Sequence, residues 1–91
     1  MKAQVFRGVD RLSYEELPVP AIAPDEVLVQ VQVVGLCQSD IKKIRYPLYE
    51  PPRIFGHETA GVIAAVGDRV TDWQVGQRVV VMHHIPCMRC R

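Results

Sequence analysis

Apolar and polar residues alternate most regularly between Glu26 and Val34. Val27, Val29, Val31 and Val33 fall on one face, and Gln30 and Gln32 fall on the other with Leu28 and Val34. Period two marks a strand, because successive side chains point to opposite faces. A β-branched face of this kind predicts packing against a second sheet layer. Gly35 ends the strand, and Ser39 or Asp40 is expected to cap a short helix through about Ile44. Residues 2–7 and 12–17 read as two further strands, joined as a hairpin through the turn residues Gly8-Val9-Asp10. Pro18, Pro20 and Pro24 make an extended connector. Pro47, Pro51 and Pro52 make Tyr46 to Pro52 an irregular surface loop. Gly61 to Val66 is small and apolar, and turns are expected at Gly67-Asp68 and at Trp73 to Gly76. Val79 to Met82 reads as a strand that delivers His83 and His84. Many short strands with Gly and Pro turns predict a mainly β fold, a small barrel or sandwich.

Composition narrows the function classes. A chain of 91 residues is one domain at most, and 48% apolar with 23% charged residues is ordinary for a soluble globular chain. A net charge of +1, with scattered lysines and arginines, gives no basis for binding nucleic acid or an anionic membrane. No apolar run approaches the ~20 residues that span a bilayer. Met1-Lys2 leads into mixed sequence rather than a signal-peptide core, so a cytoplasmic location is expected. The three cysteines are an odd number, and two of them form Cys87-x-x-Cys90, which favours metal binding over a disulfide framework. Arg91 follows Cys90 directly, so the chain reads as a fragment.

The chemistry concentrates in Gly56-His57-Glu58-Thr59-Ala60-Gly61-Val62, where an imidazole and a carboxylate stand between two glycines. Gly61 occupies the place of the second histidine of an H-E-x-x-H metalloprotease and excludes that reading. His57 is open to two interpretations: a buried histidine satisfied by a carboxylate, or a metal ligand. Cys37 is likewise either a small buried residue or a thiolate converging on His57. Together these two can supply two of the three protein ligands of a catalytic zinc, which leaves its fourth position open. Ser39 offers a hydroxyl nearby. Asp40 is a candidate acceptor for the other imidazole N–H, or only a helix cap. For Cys87 and Cys90, Pro86 and the all-β neighbourhood argue against a thioredoxin-like redox pair. Half of a structural zinc site fits better, with two unpaired surface thiols as the alternative. His83 and His84 are assigned no role.

Several of these segments together resemble one family. G-L-C-Q-S-D at 35–40, G-H-E-T-A-G-V-I at 56–63, V-G-D-R-V at 66–70, V-G-Q-R-V at 75–79 and H-I-P-C-M-R-C at 84–90 are similar to the N-terminal part of zinc-containing medium-chain alcohol dehydrogenases. The match runs in register from Met1 to Arg91, with most similarity to the sorbitol and threonine dehydrogenase-like polyol branch. The resemblance implies a GroES-like β-barrel catalytic domain over residues 1–91, incomplete on its C-terminal side. A Rossmann domain for NAD or NADP would follow in the complete protein and is absent from this chain.

By the same resemblance, Cys37 and His57 are catalytic zinc ligands and Glu58 sits beside the metal and exchanges onto it. The family's set of two cysteines and one histidine is a known property of alcohol dehydrogenases and not inferred from these residues. The resemblance makes Ser39 the proton relay from the alcohol, lets Asp40 orient His57, and makes Cys87 and Cys90 the first two of four structural-zinc cysteines. The position of Gln38 lies near the cofactor pyrophosphate and holds glycine, arginine or histidine in many relatives, so NAD and NADP stay equally open. The implied reaction is hydride transfer from a small alcohol or polyol to the nicotinamide, in a homodimer or homotetramer. Two rivals belong to other classes. A non-catalytic, zinc-stabilised binding module would use all ligands structurally, and a zinc-knuckle nucleic-acid binder would need the basic patch this chain lacks. A zinc-free quinone reductase relative would lack Cys37, Cys87 and Cys90. The 91-residue chain is itself expected to be inactive and poorly stable, with unpaired strand edges.

Overall fold

The computed structural model describes residues 1–87 and 90; Met88 and Arg89 of the C-x-x-C segment, and Arg91, lie outside the described residues. Five strands and one helix follow in the order β1 (Lys2–Gly8), β2 (Arg11–Glu16), β3 (Val27–Gly35), α1 (Gln38–Arg45), β4 (Glu58–Val66) and β5 (Arg78–Val81). Every element expected from the pattern is present within a residue or two of its expected bounds. The exception is β4, which starts at Glu58 and so takes in the His-Glu element's carboxylate.

The strands form two antiparallel sheets, β1-β2 and β3-β4-β5. Asp10 makes the hairpin turn possible with φ 56°, a left-handed conformation that Asp tolerates better than most residues. Across the hairpin Arg7 Nε donates to Glu15 Oε2 at 2.8 Å. That pairing raises the guanidinium pKa and lowers the carboxyl pKa, the hydrogen bond being the main cause of each. In the second sheet, a Cβ on Gly61 would run into the backbone carbonyl of Gln30, so the close approach of β3 and β4 requires glycine there.

Few side chains are deeply buried. Val5, Phe6 and Ile63 are the fully buried apolar residues among those described. Phe6 packs against Phe55 with ring centroids 5.2 Å apart, and its backbone exchanges two hydrogen bonds with Arg53. This bridge fixes the segment that leads into His57. The β-branched face of β3 departs from expectation. Val27 and Val29 are half-buried, but Val31 is 55% and Val33 61% exposed. Register shifts between Leu28 and Val29 and between Val31 and Val33 interrupt the alternation, and contacts between elements run mostly within each sheet. No second layer covers that half of the strand among the described residues. The radius of gyration, 15.0 Å, exceeds the ~12 Å of a compact domain of this length, consistent with an open barrel wall. Among the described residues no helix is long and apolar enough to cross a membrane.

Candidate metal centre

Three structural devices bring Cys37, His57 and Glu58 together. The first is the cap of α1. Cys37 itself is the N-cap, in extended conformation at φ −105° and ψ 154°, and not Ser39 or Asp40 as the sequence suggested. The reason lies in Asp40, the third helical residue, whose Oδ2 accepts from the Cys37 backbone N–H at 3.1 Å. This reciprocal arm, one half of a capping box, pins the thiol-bearing residue at the helix start. The second device is Gly56, whose φ of 128° turns the chain between the Phe6–Phe55 contact and β4. The third is the β3–β4 register, which sets Glu58 opposite Gly35. A Cβ at position 35 would collide with the Glu58 carboxylate, so glycine leaves the space this carboxylate occupies.

The result is one ligand atom each from Cys37, His57 and Glu58, all within 4.8 Å of one another. Cys37 and His57 are half-buried and Glu58 is exposed. Behind them, the buried Asp40 places Oδ1 3.4 Å from His57 Nδ1. Neither of these buried atoms has a hydrogen-bond partner, so each is the other's nearest polar match at ion-pair distance. An imidazole whose Nδ1 faces a carboxylate has its other nitrogen free to point at a metal. The Cys37 thiol pKa is lowered, first by the Ser39 hydroxyl, then by the Ser39 backbone N–H and by His57. Thiolate, imidazole and carboxylate are donors that zinc takes, and the three could hold a metal ion.

A cavity of ≈ 480 Å³ opens beside His57, with Ser39, Lys43, Thr59, His83 and His84 supplying its polar lining. Ile54, Phe55, Val81 and Met82 supply the apolar part. A larger groove of ≈ 750 Å³ runs along Met1 to Ala3 and Leu28 to Val31, away from these donors, and carries none of this chemistry. Gln38 lies outside the His57 cavity and lines a separate recess with Ile41, Lys42, Arg45 and Tyr46. His83, unassigned from the sequence, has its ring centroid 5.3 Å from that of His57 and 4.0 Å from that of His84, tilted to the latter at 53°. His84, burial, His57 and Lys43, in that order, lower the His83 pKa. Its one sequence signal was its place directly after a strand. Lys43 and Thr59 gave none.

Cys87 and Cys90 form a separate feature. Both are exposed, their sulfurs lie 2.7 Å apart, and the Cys90 backbone N–H donates to the Cys87 sulfur at 3.2 Å.

Comparison with known proteins agrees with this architecture. The family described as alcohol dehydrogenase GroES-like domain matches residues 23–91. The sorbitol dehydrogenase of Bacillus subtilis (strain 168) is 45% identical over 95 residues, covering 99% of this chain and 27% of that protein. The sorbitol dehydrogenase of Bombyx mori is 38% identical over 93 residues, covering 97% of this chain and 27% of that one. Among solved structures, galactitol-1-phosphate dehydrogenase from Escherichia coli superposes with a TM-score of 0.94 at 35% identity, covering 99% of this chain and 27% of that chain. This chain thus spans about a quarter of the length of the relatives it matches. With the family match over residues 23–91, the chain belongs to the alcohol dehydrogenase GroES-like domain family, in the form found in zinc-containing medium-chain alcohol dehydrogenases.

Proposed function

We propose that residues 1–91 are the N-terminal, incomplete part of a GroES-like catalytic domain. The whole protein is then a zinc-dependent oxidoreductase that oxidises an alcohol or polyol with NAD or NADP. The observation that carries this reading is the convergence of Cys37, His57 and Glu58 within 4.8 Å, with His57 shared between that cluster and the adjoining cavity. The named relatives, two sorbitol dehydrogenases and a galactitol-1-phosphate dehydrogenase, support the polyol class.

Cys37 and His57 would hold the zinc, with the Glu58 carboxylate beside it in the space that Gly35 leaves. Bound there, zinc supplies Lewis acidity toward a substrate oxygen while the nicotinamide accepts hydride. Asp40 accepts the Nδ1 proton of His57, which fixes the tautomer and aims the second nitrogen. Ser39 presents its hydroxyl to the cavity, where it would relay the proton leaving the substrate hydroxyl, accepting it while passing its own proton on to solvent. Gln38 sits in its own recess around α1, where it would lie near the cofactor. Cys87 and Cys90 supply two thiolates of a structural zinc.

The test is metal analysis together with turnover in the full-length protein. Cys37→Ser and His57→Ala each lose one equivalent of zinc and dehydrogenase activity together. Full turnover by a metal-depleted Cys37→Ser protein overturns the assignment. Cobalt substitution separates this reading from a purely structural zinc module, because an open site changes its visible spectrum when alcohol is added and a closed one does not.

A further inference from the structure

The cavity beside His57 has a one-sided electrostatic lining. Among the described residues that line it, Lys43 is the permanent cation, the three histidines (His57, His83 and His84) bring no negative charge, and there is no Asp or Glu. Lys43 extends from the last turn of α1, and its Nζ lies 5.9 Å from the Tyr49 ring centroid and 5.7 Å from that of Phe55. Two aromatic faces therefore hold the ammonium in place without neutralising it. Among the described residues the Lys43 ammonium has no carboxylate within ion-pair distance. Half-buried Lys43 thus leaves an unneutralised positive charge at the wall of the cavity. Low-dielectric walls such as Phe55 and Met82 focus its field into the opening.

Resting on the function proposed above, we infer that the substrate carries a compact oxyanion, a phosphate monoester or a carboxylate, in addition to the alcohol that is oxidised. Lys43 grips that group as a point charge, the way lysine binds phosphate oxygens. His83 and His84 line the same opening and offer ring N–H groups to the remaining oxygens. The alcohol end meets His57 and Ser39, which lies one helical turn before Lys43 on the same face of α1. The same arrangement disfavours substrates that bear a cation at the far end, because they would meet Lys43 with nothing to offset it.

The experiment uses the full-length, zinc-loaded protein and three probes of equal carbon count: a hexitol, the corresponding hexitol phosphate and a hexonate. The quantity read is the ratio of kcat/KM for each anionic probe to that for the hexitol. In the wild type the ratio exceeds about 10 for at least one anion, and which anion it is tells phosphate from carboxylate. Lys43→Met lowers that ratio by about 10-fold or more, mainly through KM, and Lys43→Arg restores most of it. A wild-type ratio at or below one, or a ratio unchanged in Lys43→Met, overturns the inference. If none of the three probes is oxidised, the zinc content of Cys37→Ser decides the function proposed above, and binding decides the anion site. Inorganic phosphate binding by calorimetry that is lost in Lys43→Met keeps the anion site; equal binding by both proteins, or no binding to the wild type, removes it.

Discussion

The two cysteine-bearing regions are built in opposite ways. Cys37 meets His57 and Glu58 through three separate elements: a helix cap, a glycine turn and a strand register. Cys87 and Cys90, exposed and three residues apart after β5, bring their sulfurs to 2.7 Å, and the Cys90 backbone N–H donates to the Cys87 sulfur. The first arrangement is expensive to assemble and stiff once made. The second is specified by two residues three apart, and under the function proposed above it would offer its two thiols without help from the sheet. A metal at the first region should therefore depend on the sheet, and a metal at the second should not.

The largest expected contrast is in activity. In the full-length protein, Cys37→Ser lowers turnover by more than about 10³-fold, in line with the loss of a metal that polarises substrate. Cys87→Ser or Cys90→Ser instead leaves turnover per folded molecule within about threefold and lowers thermal stability, as expected when a structural zinc is lost. Zinc content, steady-state kinetics and melting on the same samples check both halves. If Cys87→Ser abolished turnover at a temperature where the protein stays folded, the division between the two regions would be wrong.

The sheet dependence can be broken directly at Gly61. Adding a branched side chain there drives it into the Gln30 carbonyl, so Gly61→Val must push β3 and β4 apart. The cost is about 3 kcal/mol or more, in the range of severe overpacking. Denaturant unfolding measures it, and zinc titration should show the first region losing affinity while the Cys87-x-x-Cys90 region keeps its own. A smaller step leaves the sheet intact. Asp40→Asn preserves the shape and much of the helix cap but removes the anionic partner of His57 Nδ1. Zinc affinity at the first region then falls by about 10- to 100-fold, with unfolding free energy changed by about 1 kcal/mol at most. Competition with a chelator reads the first effect, and equal affinities in wild type and variant would remove Asp40 from the site.

The same contrast explains what the sequence made legible. Strand β3 was readable because its valines repeat at period two, and the hairpin because Gly8 and Asp10 supply the turn. The C-x-x-C needs no fold at all to be seen. Glu58 opposite Gly35 was not readable, because that pairing is set by long-range register with bulges at Leu28/Val29 and Val31/Val33. Local sequence offered Ser39 and Asp40 as equally good caps. Neither is the cap, since the carboxylate reaching back from Asp40 lets a cysteine, a poor capping residue, take the position. The openness of Val31 and Val33 was hidden for a related reason: alternation reports which residues share a face, and says nothing about whether a layer covers it. Lys43 and His83 entered the cavity only through the meeting of α1 with the chain after β5, which no local spacing encodes.

The smallest effect concerns the thiol before any metal arrives. Ser39 is the main cause of the lowered Cys37 pKa, so in metal-free protein Cys37 holds more thiolate than an ordinary thiol at the same pH. Alkylation by iodoacetamide, mapped by peptide mass to position 37, should accelerate at lower pH than a free thiol does. In Ser39→Ala the profile moves back up, since the hydroxyl that favoured the anion is gone. The sign for stability follows from linkage. A depressed native pKa contributes stability above the unfolded thiol's value, and that contribution fades as pH falls through the lowered native value. The metal-free protein should thus lose a little stability on acidification, and Ser39→Ala should lose less over the same window. A Ser39→Ala profile that superimposes on the wild type would show that the helix start and His57, rather than the hydroxyl, govern the thiol.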